Sequence, residues 1–119
     1  LKNNPNGVQS LLAYGKVLIE LGDVKAALLQ FNRAVQLSPR SAEPKHWSGY
    51  GNYLLKNYQG AVALLRSALE YDKGNPLIYK RLGMSYRELG DIKNAREEFR
   101  KYIEMAPDAP DRAEVEQFL

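Results

Sequence analysis

Residues 79–99 read YKRLGMSYRELGDIKNAREEF, and residues 11–31 read LLAYGKVLIELGDVKAALLQF. Laid over one another they share Gly15 with Gly83, Leu21-Gly22-Asp23 with Leu89-Gly90-Asp91, Ala27 with Ala95, and Phe31 with Phe99. The stretch between, residues 45–65 (KHWSGYGNYLLKNYQGAVALL), puts Gly49, Leu55, Ala61 and Leu65 at the same places. The offset is 34 residues each time, with no net insertion or deletion. Ala34 and Ala68 continue as Tyr102, and Pro39 returns as Pro107. Three copies in register predict a solenoid, in which each unit buries its apolar face only against its neighbours. Function is then expected on an extended surface built by stacking.

Each unit reads as two amphipathic helices joined by a tight turn. In the first, Leu11, Tyr14, Gly15 and Leu18 recur at helical spacing. Gly22 suits a left-handed helix end, and Asp23 an N-cap. Ala27, Phe31, Ala34 and Leu37 form the second stripe, ended by Pro39. In the third unit the stripes are Tyr79, Leu82, Gly83, Tyr86 and then Ala95, Phe99, Tyr102, Met105. Asn75-Pro76 opens that unit as N-cap and first helical residue. Gly15, Gly83 and Ala27 let helices approach closely while Phe31 and Phe99 fill the space beside them. After Pro107 a further helix is expected, capped by Asp108, with Pro110 in its first turn and Val115, Phe118 and Leu119 as its apolar face. It reads as a cap over the last hairpin; the other reading is a truncated fourth unit.

These residues resemble the tetratricopeptide repeat, whose 34-residue signature runs Trp/Leu, Leu, Gly, Tyr, then Ala, Phe, Ala and Pro. The resemblance covers residues 8 to about 109. It implies an all-α, right-handed superhelical solenoid of antiparallel helix pairs, here one domain over 1–119. The units are 8–41, 42–75 and 76–109, with a capping helix at 110–119. It also implies a concave groove lined by the first helix of each pair, and a role in holding partner proteins.

The middle unit departs from the pattern, because Lys45, Ser48 and Asn52 fall where apolar residues belong. Two registers are open. In the strict one His46, Tyr50 and Tyr53 face the groove, with Trp47 at its edge. In the other, slid by two residues, Trp47, Tyr50 and Leu54 are core. The slid register buries more apolar area. The strict one keeps turn and second helix unchanged and is preferred.

Carried over in strict register, the groove positions are Gln9, Leu12, Lys16 and Ile19, then Glu43, His46, Tyr50 and Tyr53, then Leu77, Lys80, Met84 and Arg87, with Arg81 alongside. Lys16, Lys80, Arg81 and Arg87 are candidates to meet carboxylates of a partner. Tyr50, Tyr53 and Met84 are candidates for its apolar anchors. The expected ligand is a protein or peptide segment with acidic and apolar side chains. One subset of the family clamps the C-terminal carboxylate of heat-shock chaperones. Its first-unit places hold Leu12 and Lys16 here, its second-unit place holds Trp47, and only Arg81 fits, so that ligand is not expected.

Other classes fare worse. His46 is the single histidine and there is no cysteine, so paired-imidazole and thiolate metal sites are absent, and no cofactor is expected. Gly49-Tyr50-Gly51 lacks the third glycine and the strand of a phosphate loop. Glu97-Glu98 reads as surface charge, and Asp108 with Asp111 as charges near a helix N-terminus. No enzymatic activity is expected. No apolar run nears the roughly 20 residues of a membrane span. No targeting signal is visible, and a start at Leu1 suggests an excised or processed piece of a longer protein. Net charge is +3, a small excess for a nucleic-acid binder, which leaves single-strand binding as a weak third reading. The runner-up is self-assembly into homo-oligomers through the end hairpin or the tail helix.

Overall fold

The computed structural model describes residues 6–119. Seven helices follow in order: α1 (Asn6–Glu20), α2 (Val24–Leu37), α3 (Ala42–Leu54), α4 (Tyr58–Leu69), α5 (Pro76–Glu88), α6 (Ile92–Met105) and α7 (Arg112–Glu116). No strand occurs among the described residues. α1/α2, α3/α4 and α5/α6 are antiparallel hairpins; α3 packs on α2, and α5 on α4. The result is the all-α, right-handed superhelical solenoid that the repeat implied, 47 Å long and about half as wide.

Local chemistry explains each hairpin turn. Asp23, Asn57 and Asp91 accept from the N–H of Ala26, Gly60 and Asn94, three residues on. Each satisfies one of the free donors at a helix start. The residue before each cap is left-handed: Gly22 at φ +87°, Gly90 at φ +81° and, in the middle unit, Lys56 at φ +68°. Asn75 caps α5 through Leu77 N–H, with Pro76 at its first position.

The hairpins close on a glycine set against a large side chain, aromatic in the outer two. A methyl added at Gly83 would lie 2.6 Å from the Phe99 ring, and one at Gly15 would enter the Phe31 ring. At Gly49 it would lie 2.9 Å from Leu65 Cγ. Gly49 therefore holds the place of Gly15 and Gly83, and the middle unit keeps the strict register. Its polar stripe residues are satisfied where they stand. Ser48 donates to Asn32 Oδ1, Lys45 to Ser67 Oγ, and Asn52 to the Ser48 carbonyl. Hydrogen bonding removes most of the penalty that would have favoured the slid register.

Several expectations need correction. Tyr14 is 55% exposed, although placed in the first core stripe. Its counterparts Ser48 and Leu82 are buried against a preceding hairpin, and α1 has none among the described residues. Leu37 and Met105 lie at the ends of second helices and are exposed as well. Glu98, read as surface charge, is 1% exposed and bonded to Arg66 at 2.7 Å. The last helix begins at Arg112, not near Asp108. Val115 is its one buried residue, while Phe118 and Leu119 lie beyond its end and are partly exposed.

Candidate functional site

The first helices α1, α3 and α5 bring cations and aromatic rings together along one face. α3 supplies a run of rings: Trp47 to Tyr50 edge-on at 5.9 Å, and Tyr50 to Tyr53 stacked at 6.3 Å. Tyr53 continues to Tyr58 at 5.6 Å. α5 lays the Arg81 guanidinium 3.7 Å from the Tyr50 ring centre and 4.9 Å from that of Trp47. From α1, Lys16 Nζ sits 4.8 Å from the Trp47 centre and 3.5 Å from the Glu43 carboxylate. Cations over ring faces in partly desolvated positions are held by the ring quadrupole.

His46 is the hinge of this arrangement. Its ring is 2% exposed, and Nε2 lies 2.9 Å from Arg81 Nη1. Arginine can only donate, so Nε2 accepts and the proton of the neutral ring sits on Nδ1. Burial, then Arg81, then Lys16 push the imidazole down to about 3. His46 is therefore a neutral acceptor that aims Arg81, and not the groove-facing residue expected. Leu12 is likewise withdrawn: at 1% exposure it belongs to the core formed with Phe31 and Ala34. Lys16, one turn on along the same face of α1, is half-buried and reaches Trp47 and Glu43 instead. Ile19 is half-buried against the same core.

At the other end the expected groove residues meet the chain's own tail. Lys80 Nζ pairs with Asp111 at 2.6 Å, and Asp111 also accepts from Tyr102 at 2.6 Å. Burial pushes the Asp111 carboxyl up, but the bonds from Lys80 and Tyr102 outweigh it and hold it low. Burial and then the Asp111 bond push the Tyr102 phenol up to about 12. Arg87 lies 4.6 Å from the Phe118 ring centre and 3.9 Å from Glu88. Met84 is half-buried beside Phe99 and Phe118, lining a recess of about 230 Å³. A second recess, about 330 Å³, opens beside Lys16, Glu43, His46, Trp47 and Leu77.

The structure thus brings Lys16, Tyr50, Tyr53 and Arg81 together around Trp47, and puts Lys80, Met84 and Arg87 in a separate cluster under the tail. Sequence reasoning left Trp47 at the rim and missed Asp111 and Phe118 as neighbours of Lys80 and Arg87. The signal for Trp47 was its place one residue from His46; for the tail there was none. No group of three or more His, Cys, Asp or Glu side chains suited to a metal occurs among the described residues. No helix among them is long and apolar enough to cross a membrane.

Family models described as tetratricopeptide repeat match residues 53–117 and 1–42. Among curated proteins, BBSome complex member BBS4 of Mus musculus is 31% identical over 105 residues, which is 88% of this chain and 20% of that protein. The Bos taurus protein of the same name is 30% identical over the same length. The chain thus spans about a fifth of the length of these relatives. Among solved structures, the first such domain of Spaghetti (RPAP3), bound to the HSP90 peptide SRMEEVD, superposes with a TM-score of 0.88 at 15% identity. That match covers 95% of this chain and 90% of that one. MamA superposes with a TM-score of 0.82 at 26% identity, over 99% of this chain and 77% of that one.

Proposed function

This chain belongs to the tetratricopeptide repeat family, and we propose that it is a non-enzymatic adaptor that holds a segment of a protein partner against its concave face. The reading treats 1–119 as one domain, with units 8–41, 42–75 and 76–109 and a cap at 110–119. The observation that carries it is Arg81. Its guanidinium is aimed by buried His46 and flanked by Tyr50 and Trp47, yet pairs with no carboxylate among the described residues. A partly desolvated cation beside half-buried rings favours a segment that brings both an acid and an apolar group. Packed helices fix these side chains in advance, so little ordering entropy is lost on binding. Lys16, Tyr53 and Ile19 extend the surface on one side. Lys80, Met84 and Arg87 join it only where the tail leaves them free.

The peptide SRMEEVD, held by one structural relative, is acidic, but that likeness reaches only to fold. The clamp places here hold Leu12, buried, and Trp47, and a heat-shock tail is not carried over.

Selection of a random peptide library on the intact chain tests the reading. Enriched peptides should pair Asp or Glu with Leu, Phe or Tyr. Arg81→Gln should weaken them about tenfold or more, the range of a lost charge-assisted bond. Tyr50→Ala should do the same. Enrichment of basic peptides, or affinities indifferent to both variants, would refute it.

A further inference from the structure

The imidazole of His46 has two polar edges, and Arg81 uses one. Nε2 accepts from the guanidinium, so the ring's proton stands on Nδ1. That donor meets no acceptor among the described residues. The ring is 2% exposed, and an unmet donor at such depth carries a cost that a ligand can remove. His46 lines the recess of about 330 Å³, which opens between α1 and the first turns of α3 and α5. A ligand that fills the recess gains by bringing an acceptor.

The charges around the recess decide which acceptor. Glu43 and Asp72 both line it, against the single ammonium of Lys16. Lys16 is already shared between Glu43 at 3.5 Å and the Trp47 ring at 4.8 Å. Asp72 accepts from Gly74 N–H at 2.8 Å and forms no ion pair among the described residues. Two carboxylates to one ammonium leave the rim negative. A carboxylate acceptor would meet like charge there, whereas a neutral carbonyl would not. The rest of the wall is apolar, and Leu77 on it is 39% exposed, bare enough to take an aliphatic stem.

We propose that this recess is a second subsite of the partner groove and takes a lysine or arginine from within the partner's chain. The backbone carbonyl of that residue accepts from His46 Nδ1. Its stem lies on Leu77, and its cation meets Asp72 and Glu43. Resting on the groove reading, this gives the bound segment both signs, an acid on Arg81 and a base beside it. One imidazole joins the two subsites. The base therefore falls within about two residues of the acid, at roughly 3.3–3.6 Å per extended residue. The same negative rim turns away the carboxylate of a chain end, so an internal segment is held in preference to a terminus.

Fluorescence anisotropy tests it, on the intact chain with acid–apolar peptides selected as above and amidated at the C-terminus. Lysine is placed at each neighbouring position in turn, on both sides of the acid, and compared with alanine and glutamate. At one or two positions lysine should tighten binding about five-fold over alanine, the range of a partly exposed ion pair, and glutamate should weaken it. Asp72→Asn with Glu43→Gln should remove the difference between the lysine and alanine peptides. Both changes are isosteric and at exposed positions, so the fold is kept. Ending the peptide at the responsive position with a free carboxylate should weaken it relative to the amide. Binding that depends on Arg81 yet ignores lysine at every position would overturn the subsite and leave the groove reading standing. A lysine gain that survives the double variant, or tighter binding of the free carboxylate, overturns it as well. Peptides that bind without regard to Arg81 remove the groove reading and the subsite with it.

Discussion

His46 carries more than its size suggests, because it must remain uncharged to accept from Arg81. In the unfolded chain the ring takes a proton near pH 6.5; in the folded chain it resists until about 3. Between those values the unfolded state binds more protons, so stability falls as the pH drops. The slope approaches about 1.4 kcal/mol per pH unit from this one group. Urea unfolding at pH 6.5 and 5, above the range of ordinary carboxylates, should show the decline, and His46→Gln should flatten it. An unchanged slope in the variant would remove His46 from the account. The glycine–aromatic pairs Gly15/Phe31 and Gly83/Phe99 were legible in the sequence because the repeat states them twice. The pairing of His46 with Arg81 was not. The partners stand 35 residues apart on different units, and only the rotation between units brings them together.

Among the elements, the three hairpin turns share one geometry and differ in one residue. Gly22 and Gly90 adopt positive φ at no cost from a side chain, whereas Lys56 adopts it with one. For an L-residue that conformation costs roughly 1–2 kcal/mol, and glycine returns part of the gain as unfolded-state entropy. Lys56→Gly should therefore stabilise the chain by about 0.5–1 kcal/mol, seen as a raised denaturation midpoint. No gain would mean that the Lys56 side chain has offsetting contacts. The two Leu-Gly-Asp turns could be read from the sequence alone, since the requirement is local; the turn at Lys56 carries no such signal. Nor could the tail be read this way. Asp111 spends its carboxylate on Tyr102 and Lys80 and makes no side-chain cap, and the helix starts after it.

At the scale of the whole molecule, the units hold together only through neighbours, and one buried ion pair crosses such a junction. Arg66 of α4 reaches Tyr86 of α5 and Glu98 of α6, while Glu98 Oε1 has no hydrogen-bond partner. Arg66→Met leaves the buried carboxylate with only Lys101, 3.9 Å from Oε1, and should cost about 2 kcal/mol, discounted because Arg66 is itself partly exposed. Adding Glu98→Leu should recover most of that, since an apolar pair fills the site without an unmatched charge. Equal stability of all three proteins would show the junction to be indifferent to the pair. Repetition made the solenoid legible but not this junction, because Glu98 sits among charges at a position whose burial depends on α4.

Helix α3 depends on its neighbours more than its sequence alone would suggest. It carries Gly49 and Gly51 in mid-helix, and Ser41 at its start makes no side-chain cap. Each interior glycine lowers helix propensity by about 1 kcal/mol relative to alanine. Its order is thus lent by Phe31 and Leu28 on one side and Leu65 on the other. The wall that bears Trp47, Tyr50 and Tyr53, at the middle of a 47 Å rod, thus takes its shape from the hairpins on either side. A ligand held on those rings, as proposed above, would be read by a surface whose order is borrowed from both neighbours.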